Sequence, residues 1–185
     1  MRNTTAQYFV VEIKDLDDDR AEKDTRRLSK PDRMRRVLKH KETGTEMFKN
    51  KNWMHAAKHY KDALTHCSHF YDLSADDEAE VKAVKLTLLL NLATTWTKID
   101  NMDQVLKCAN DALAIDPKAP KALFRRAMVL EKRKKFDEAK KDLALAAQQP
   151  GAADDKALAT LTKRVDIQIR REKDKEKKMA SKMFG

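Results

Sequence analysis

NLATTWTKIDNMDQVLKCANDALAI (residues 91–115) and KALFRRAMVLEKRKKFDEAKKDLALAA (residues 121–147) are two copies of one pattern. Small residues recur at spacings of 12 and then 7: Ala93, Val105 and Ala112 in the first, Ala127, Ala139 and Ala146 in the second, 34 residues on. Upstream, Gly44, Ala56 and Ala63 keep both spacings. A 34-residue period of this kind predicts stacked helical hairpins, because a small residue at each rung lets two antiparallel helix backbones approach closely. Bulky residues interleave at matching places. Trp53 and Phe136 stand three residues before the middle rung, and Tyr60 and Leu143 four after it.

From this ladder the rest of the chain can be divided. The first hairpin is expected to pair helices over 32–50 and 53–70. The second pairs a helix ending near Ile99 with Met102–Ile115, and the third pairs 120–134 with 136–148. Asp116-Pro117 and Gln149-Pro150-Gly151 break the chain between hairpins. Gly44 to Ala93 is 49 residues, or 34 plus 15, so the surplus is read as a loop and an N-terminal extension of the second hairpin's first helix, capped near Ser74 or Asp76. A seventh helix over about 154–182 is expected to cover the end of the stack with Leu158, Leu161, Val165 and Ile169. Ahead of the repeats, YFVVEI (8–13) reads as a short strand, and 15–32 as a charged connector whose Ser-Lys-Pro-Asp opens a helix. The expected divisions are 1–31 (strand-like segment and linker), 32–151 (three repeats) and 152–185 (basic capping helix).

Composition narrows the function classes. Three glycines and four prolines in 185 residues, with 38% charged residues, describe a helix-rich chain. A net charge of +10 favours acidic partners. Cys67 and Cys108 are isolated, which argues against disulfide, metal or redox chemistry and suits a reducing compartment. The start lacks a sustained apolar stretch, and Leu86–Ala93 is too short to span a bilayer, so the cytoplasm is expected, with the nucleus open as well. The five histidines, at 40, 55, 59, 66 and 69, read as half-exposed surface residues. No metal is expected; His55 and His59, four apart, would be the first pair to inspect. No cofactor is implied.

The inner wall of a helical solenoid is lined by the first helix of each hairpin. There Lys121 and Arg125, four apart, share a face, Asn91 holds the register of Arg125 one repeat earlier, and Lys41 and Thr45 lie on the first helix. Together they would offer ammonium groups, a guanidinium fork, an amide and a hydroxyl, a donor set suited to carboxylates. Phe48 and the aliphatic wall near Leu89 are candidates for secondary contacts.

Across about Val37 to Pro150 these residues resemble the tetratricopeptide-repeat (TPR) family, and more narrowly the co-chaperone repeats of FKBP-type immunophilins. The resemblance implies an all-α fold, three hairpins in a right-handed superhelix with a capping helix. It also implies an adaptor that clamps the C-terminal Glu-Glu-Val-Asp of cytosolic heat-shock proteins of the 90 or 70 kDa class. Clamp residues would be Lys41, Thr45 (where the family motif KExGN has Asn), Asn91, Lys121 and Arg125, and Lys98 aligns with a position that often flanks the clamp. YFVVEIKDL is similar to the closing strand of an FKBP domain. The isomerase body would need about a hundred residues before Tyr8, so the chain reads as a fragment of such an isomerase or a version lacking that domain, and isomerase activity is not expected. A rival function comes from the basic segment Lys163–Lys182 with Val165, Ile167, Ile169, Met179 and Met183, which suits calmodulin or an anionic membrane surface. Nucleic acid is not expected, since Trp53, Trp96 and Phe136 fit the repeat interior.

Overall fold

The computed structural model describes residues 28–152 and 155–184, and these form seven helices with no strand among them. They are α1 (Lys30–Lys49), α2 (Trp53–Cys67), α3 (Ala75–Lys98), α4 (Met102–Ile115), α5 (Pro120–Lys132), α6 (Phe136–Ala147) and α7 (Lys156–Phe184). Each helix packs on its neighbour in sequence, α1 on α2 through to α6 on α7, while α3 also meets α5 and α5 meets α7. That is a stack of three hairpins closed by a seventh helix. The strand expected over 8–13 and most of the charged connector lie outside the described residues.

Local chemistry explains the helix starts. Ser29 accepts from the Asp32 amide at 3.3 Å with Pro31 in the first turn, and Ser74 accepts from the Asp77 amide at 3.3 Å. Asp76, Asp77 and Glu78 follow in the first turn of α3, where carboxylates meet the positive end of the helix dipole. The surplus of the second repeat is therefore the loop 68–74 plus a long α3. Helix α2 stops at Cys67, three residues short of Phe70, because the Ser68 hydroxyl and amide both turn back onto the Thr65 carbonyl. The turns inside the hairpins are near-copies. Lys51, Asp100 and Lys134 each take φ of 60°, and the next amide reaches back to the carbonyl of Met47, Trp96 or Leu130. This is the Schellman closure usually given to glycine; here a side chain bears the left-handed strain each time.

All nine rungs of the ladder are buried. One core gathers Val37, Tyr60, Leu88, Leu92, Trp96 and Val105; a second gathers Leu89, Leu123, Leu130, Phe136, Leu143, Leu158, Leu161 and Val165, and Leu64 and Met128 pack against both. The expected inner face of α7 is the one buried, with Ile169 at its edge. Two ion pairs dock that helix: Arg164 on Glu131 of α5, and Lys140 of α6 on Asp166 at 2.7 Å. No described helix is long and apolar enough to cross a membrane. Burial pushes the Cys67 and Cys108 thiols up to about 11, so both stay protonated and unreactive at neutral pH.

Candidate functional site

Helices α3 and α5 lie side by side, and a hollow of about 310 Å³ opens between them, lined by Thr87, Leu90, Asn91, Thr94, Lys121 and Arg125. The 34-residue register explains the meeting. Asn91 and Arg125 occupy the same position of consecutive repeats, so stacking brings them to one wall, with Lys121 one turn before Arg125.

Arg125 and Arg126 are neighbours in sequence with different fates. Arg126 closes a two-pronged bond to Asp142 of α6, Nε to Oδ2 and Nη2 to Oδ1, both 2.7 Å, and Asp142 is buried. That pair raises the Arg126 pKa and belongs to the hairpin's interior. Arg125 is half-buried, and Nη2 donates to Thr94 Oγ1 at 3.1 Å. Desolvation lowers its pKa, though a guanidinium stays charged throughout. Among the described residues no carboxylate pairs with it, nor with Lys121 or Lys41. A partly desolvated fork held by a hydroxyl is ready for an external carboxylate.

The other two expected residues stand apart from this hollow. Lys41 and Thr45 line a shallow one of about 390 Å³ made wholly of α1 residues, with Leu38, Glu42, Glu46 and Lys49. There the lysines are balanced by two glutamates. The Thr45 hydroxyl donates to the Lys41 carbonyl at 2.8 Å and lies 3.1 Å from the Tyr60 hydroxyl, which must then be the donor to it. Its single proton is committed to its own helix, a common fate of threonine in a helix. Phe48 packs edge-on against Trp53, centroids 4.8 Å apart, Leu89 is buried in the second core, and Lys98 is exposed in the last turn of α3.

Two features of the site escaped the reading of the sequence. Thr94, which holds Arg125, is the counterpart of Thr45 at 49 residues' offset, so the repeat register itself carried that signal. An apolar hollow of about 370 Å³ also adjoins the first, sharing Lys121 and Arg125 and walled by Phe124, Ala146, Ala152 and Leu158. Its far wall comes from the capping helix and carries no sequence motif.

Comparison with known proteins bears on the fold. No family model matches the chain. FK506-binding protein 59 of Drosophila melanogaster is 30% identical over 159 residues, covering 85% of this chain and 35% of that protein. The chain spans about a third of the length of the curated relatives it matches. The C-terminal TPR-containing domain of an FK506-binding protein of Plasmodium falciparum superposes with a TM-score of 0.73 at 21% identity, over 81% of this chain and 99% of that one. The first TPR of Spaghetti (RPAP3), solved with the HSP90 peptide SRMEEVD, superposes at 0.60 with 18% identity, over 74% and 94%. The fold is that of a tetratricopeptide-repeat domain. Within that class the chain resembles the C-terminal repeat region of FKBP-type immunophilins.

Proposed function

We propose that this domain is a co-chaperone adaptor that binds the acidic C-terminal tail of cytosolic heat-shock proteins of the 90 or 70 kDa class. The observation that carries the reading is Arg125: a half-buried guanidinium held by Thr94, without a carboxylate partner in the described residues, facing Asn91 and Lys121. In this reading Arg125 grips the terminal carboxylate through its fork, Lys121 adds a second positive charge, and the Asn91 amide donates to the same group. Lys41, on α1, meets a carboxylate further along the peptide. Thr45 contributes its methyl group and its place beside Lys41, since its proton is engaged elsewhere. The apolar hollow by Phe124 and Leu158 receives an aliphatic side chain upstream of the tail. The RPAP3 repeat domain bound to an HSP90 peptide, among the similar structures, supports this reading.

Magnitudes agree with a transient adaptor. Hydrogen bonds to charged groups contribute about 1.5–3 kcal/mol each, and ordering a flexible tail offsets much of their sum. A dissociation constant around micromolar, about 8 kcal/mol, is the expected result. It weakens with salt because Lys121 is exposed. A labelled peptide ending in Glu-Glu-Val-Asp, titrated beside its C-terminally amidated form, tests the reading. Amidation should cost at least about tenfold in affinity; equal affinity for both forms rejects it.

A second reading concerns the end of α7. Past Ile169 every described side chain is exposed, including Met179 and Met183, four apart and flanked by Lys175, Lys177, Lys178 and Lys182. A basic helix with a methionine edge fits a calmodulin-like acidic groove. Calcium-dependent retention of the chain on calmodulin, lost on deleting residues 175–185, is the outcome this reading requires.

A further inference from the structure

The first hairpin departs from the other two at its seam. Counting by the repeat, His40 takes the place of Leu89 and Leu123, both buried aliphatics, and His59 takes that of Cys108 and Asp142. His40 on α1 and His59 on α2 meet across the hairpin with their Nδ1 atoms 3.3 Å apart. Asp62, one turn after His59, joins them, and one ligand atom from each residue lies within 4.8 Å of the others. The His66 ring stacks on His40 at 5.5 Å between centroids and closes the inner side. All three of His40, His59 and Asp62 are half-buried. His59 thus turns toward His40, while His55, the partner expected from spacing, is exposed and bonded to Asn52 at 2.7 Å. His66 is buried rather than half-exposed, because α2 rotates it into the hairpin.

We infer that His40, His59 and Asp62 form a binding site for a divalent cation of the zinc class, which fastens α1 to α2. Zinc takes imidazole nitrogen at about 2.0–2.1 Å in tetrahedral sites, which sets two ligand nitrogens ~3.3 Å apart; the Nδ1 pair has that separation. Two imidazoles and one carboxylate leave a fourth position for water, reached from the half-exposed side. Without metal the two Nδ1 atoms share one proton as donor and acceptor. On binding, that proton shifts by way of solvent to the ring's Nε2, and both Nδ1 lone pairs go to the cation. The ligands come from one packed hairpin: His59 and Asp62 stand on α2, and His40 lies one turn before the buried Gly44 rung of α1.

The test uses the untagged chain, stripped with EDTA and titrated with zinc chloride by calorimetry, with cobalt(II) absorption as a second readout. One equivalent of zinc per chain, a rise in melting temperature and the visible bands of a low-coordinate cobalt site are expected. His40→Leu, the residue found at Leu89 and Leu123, should fold and lose the site. Asp62→Asn should weaken binding by at least about tenfold, since even outer-shell changes cost about 10- to 100-fold. His55→Ala should leave binding unchanged. Absence of saturable binding overturns the inference, as does unchanged affinity in Asp62→Asn or a loss in His55→Ala equal to that in the other variants. If His40→Leu unfolds by circular dichroism, the Asp62→Asn and His55→Ala arms decide alone.

Discussion

In the third hairpin the seam between α5 and α6 is made of Ala127, Ala139, Leu143 and Phe136, and its buried carboxylate, Asp142, is matched by Arg126. The first hairpin fills the same register differently. Gly44 sits under the Tyr60 ring, Tyr60 is tied to Thr45, and His40 stands where the other two hairpins place buried leucines, beside His59 and Asp62. One backbone frame thus tolerates a mostly apolar seam with one matched ion pair and a seam that gathers imidazoles. The difference reaches the groove: the third hairpin presents Lys121 and Arg125 with no carboxylate paired to them within the described residues, while on the first hairpin Lys41 and Lys49 share a hollow with Glu42 and Glu46.

The largest expected effect separates the two hairpins as binding surfaces. Lys121→Ala with Arg125→Ala should reduce affinity for the acidic tail by at least about a hundredfold, near 3 kcal/mol, with helical content unchanged. Lys41→Ala should cost less than the double variant. Fluorescence anisotropy decides, and equal losses would put the anchor on α1 as well. Asp142→Ala comes next, because it leaves Arg126 without its buried partner. A loss of about 3 kcal/mol in urea unfolding is expected, at the low end of such cases since Arg126 is about a third exposed.

Gly44→Ala probes the polar seam. A Cβ there would lie 2.9 Å from Tyr60 Cε1, and the ring is held by Thr45. Overpacking costs about 1–3 kcal/mol and alanine's helix propensity returns ~1, so a net loss of about 1 kcal/mol is expected. A raised urea midpoint would mean the ring yields freely. The smallest effect should be a gain. Lys134→Gly and Lys51→Gly relieve a left-handed residue in equivalent turns and should each stabilise by about 1 kcal/mol. A thermal melt that moves for one and not the other would show that the two turns are strained unequally.

The ladder was readable because burial at nine positions demanded small side chains at a fixed period, and periodicity survives in a single sequence. Ser74 was readable as a cap for the same local reason. The site was readable only in part. Asn91, Lys121 and Arg125 follow from register, but the RR pair at 125–126 looks alike on paper, and only the position of Asp142 on α6 separates the free cation from the structural one. Thr45 showed its hydroxyl in the sequence without showing where its proton goes. The meeting of His40 with His59 depends on how two side chains 19 residues apart are turned, which spacing along one helix cannot reveal.

The division of the interior into two cores has a mechanical consequence. Helix α3 gives Leu88, Leu92 and Trp96 to one core and Leu89 to the other, and the groove between Asn91 and Arg125 joins it to α5, whose Leu123, Ala127 and Leu130 belong to the second core. In a solenoid, where each unit leans only on the next, such a junction is where partial opening starts. An anion gripped from both sides would rivet the two halves together, so that occupancy turns a protein able to come apart in sections into one that melts as a single body.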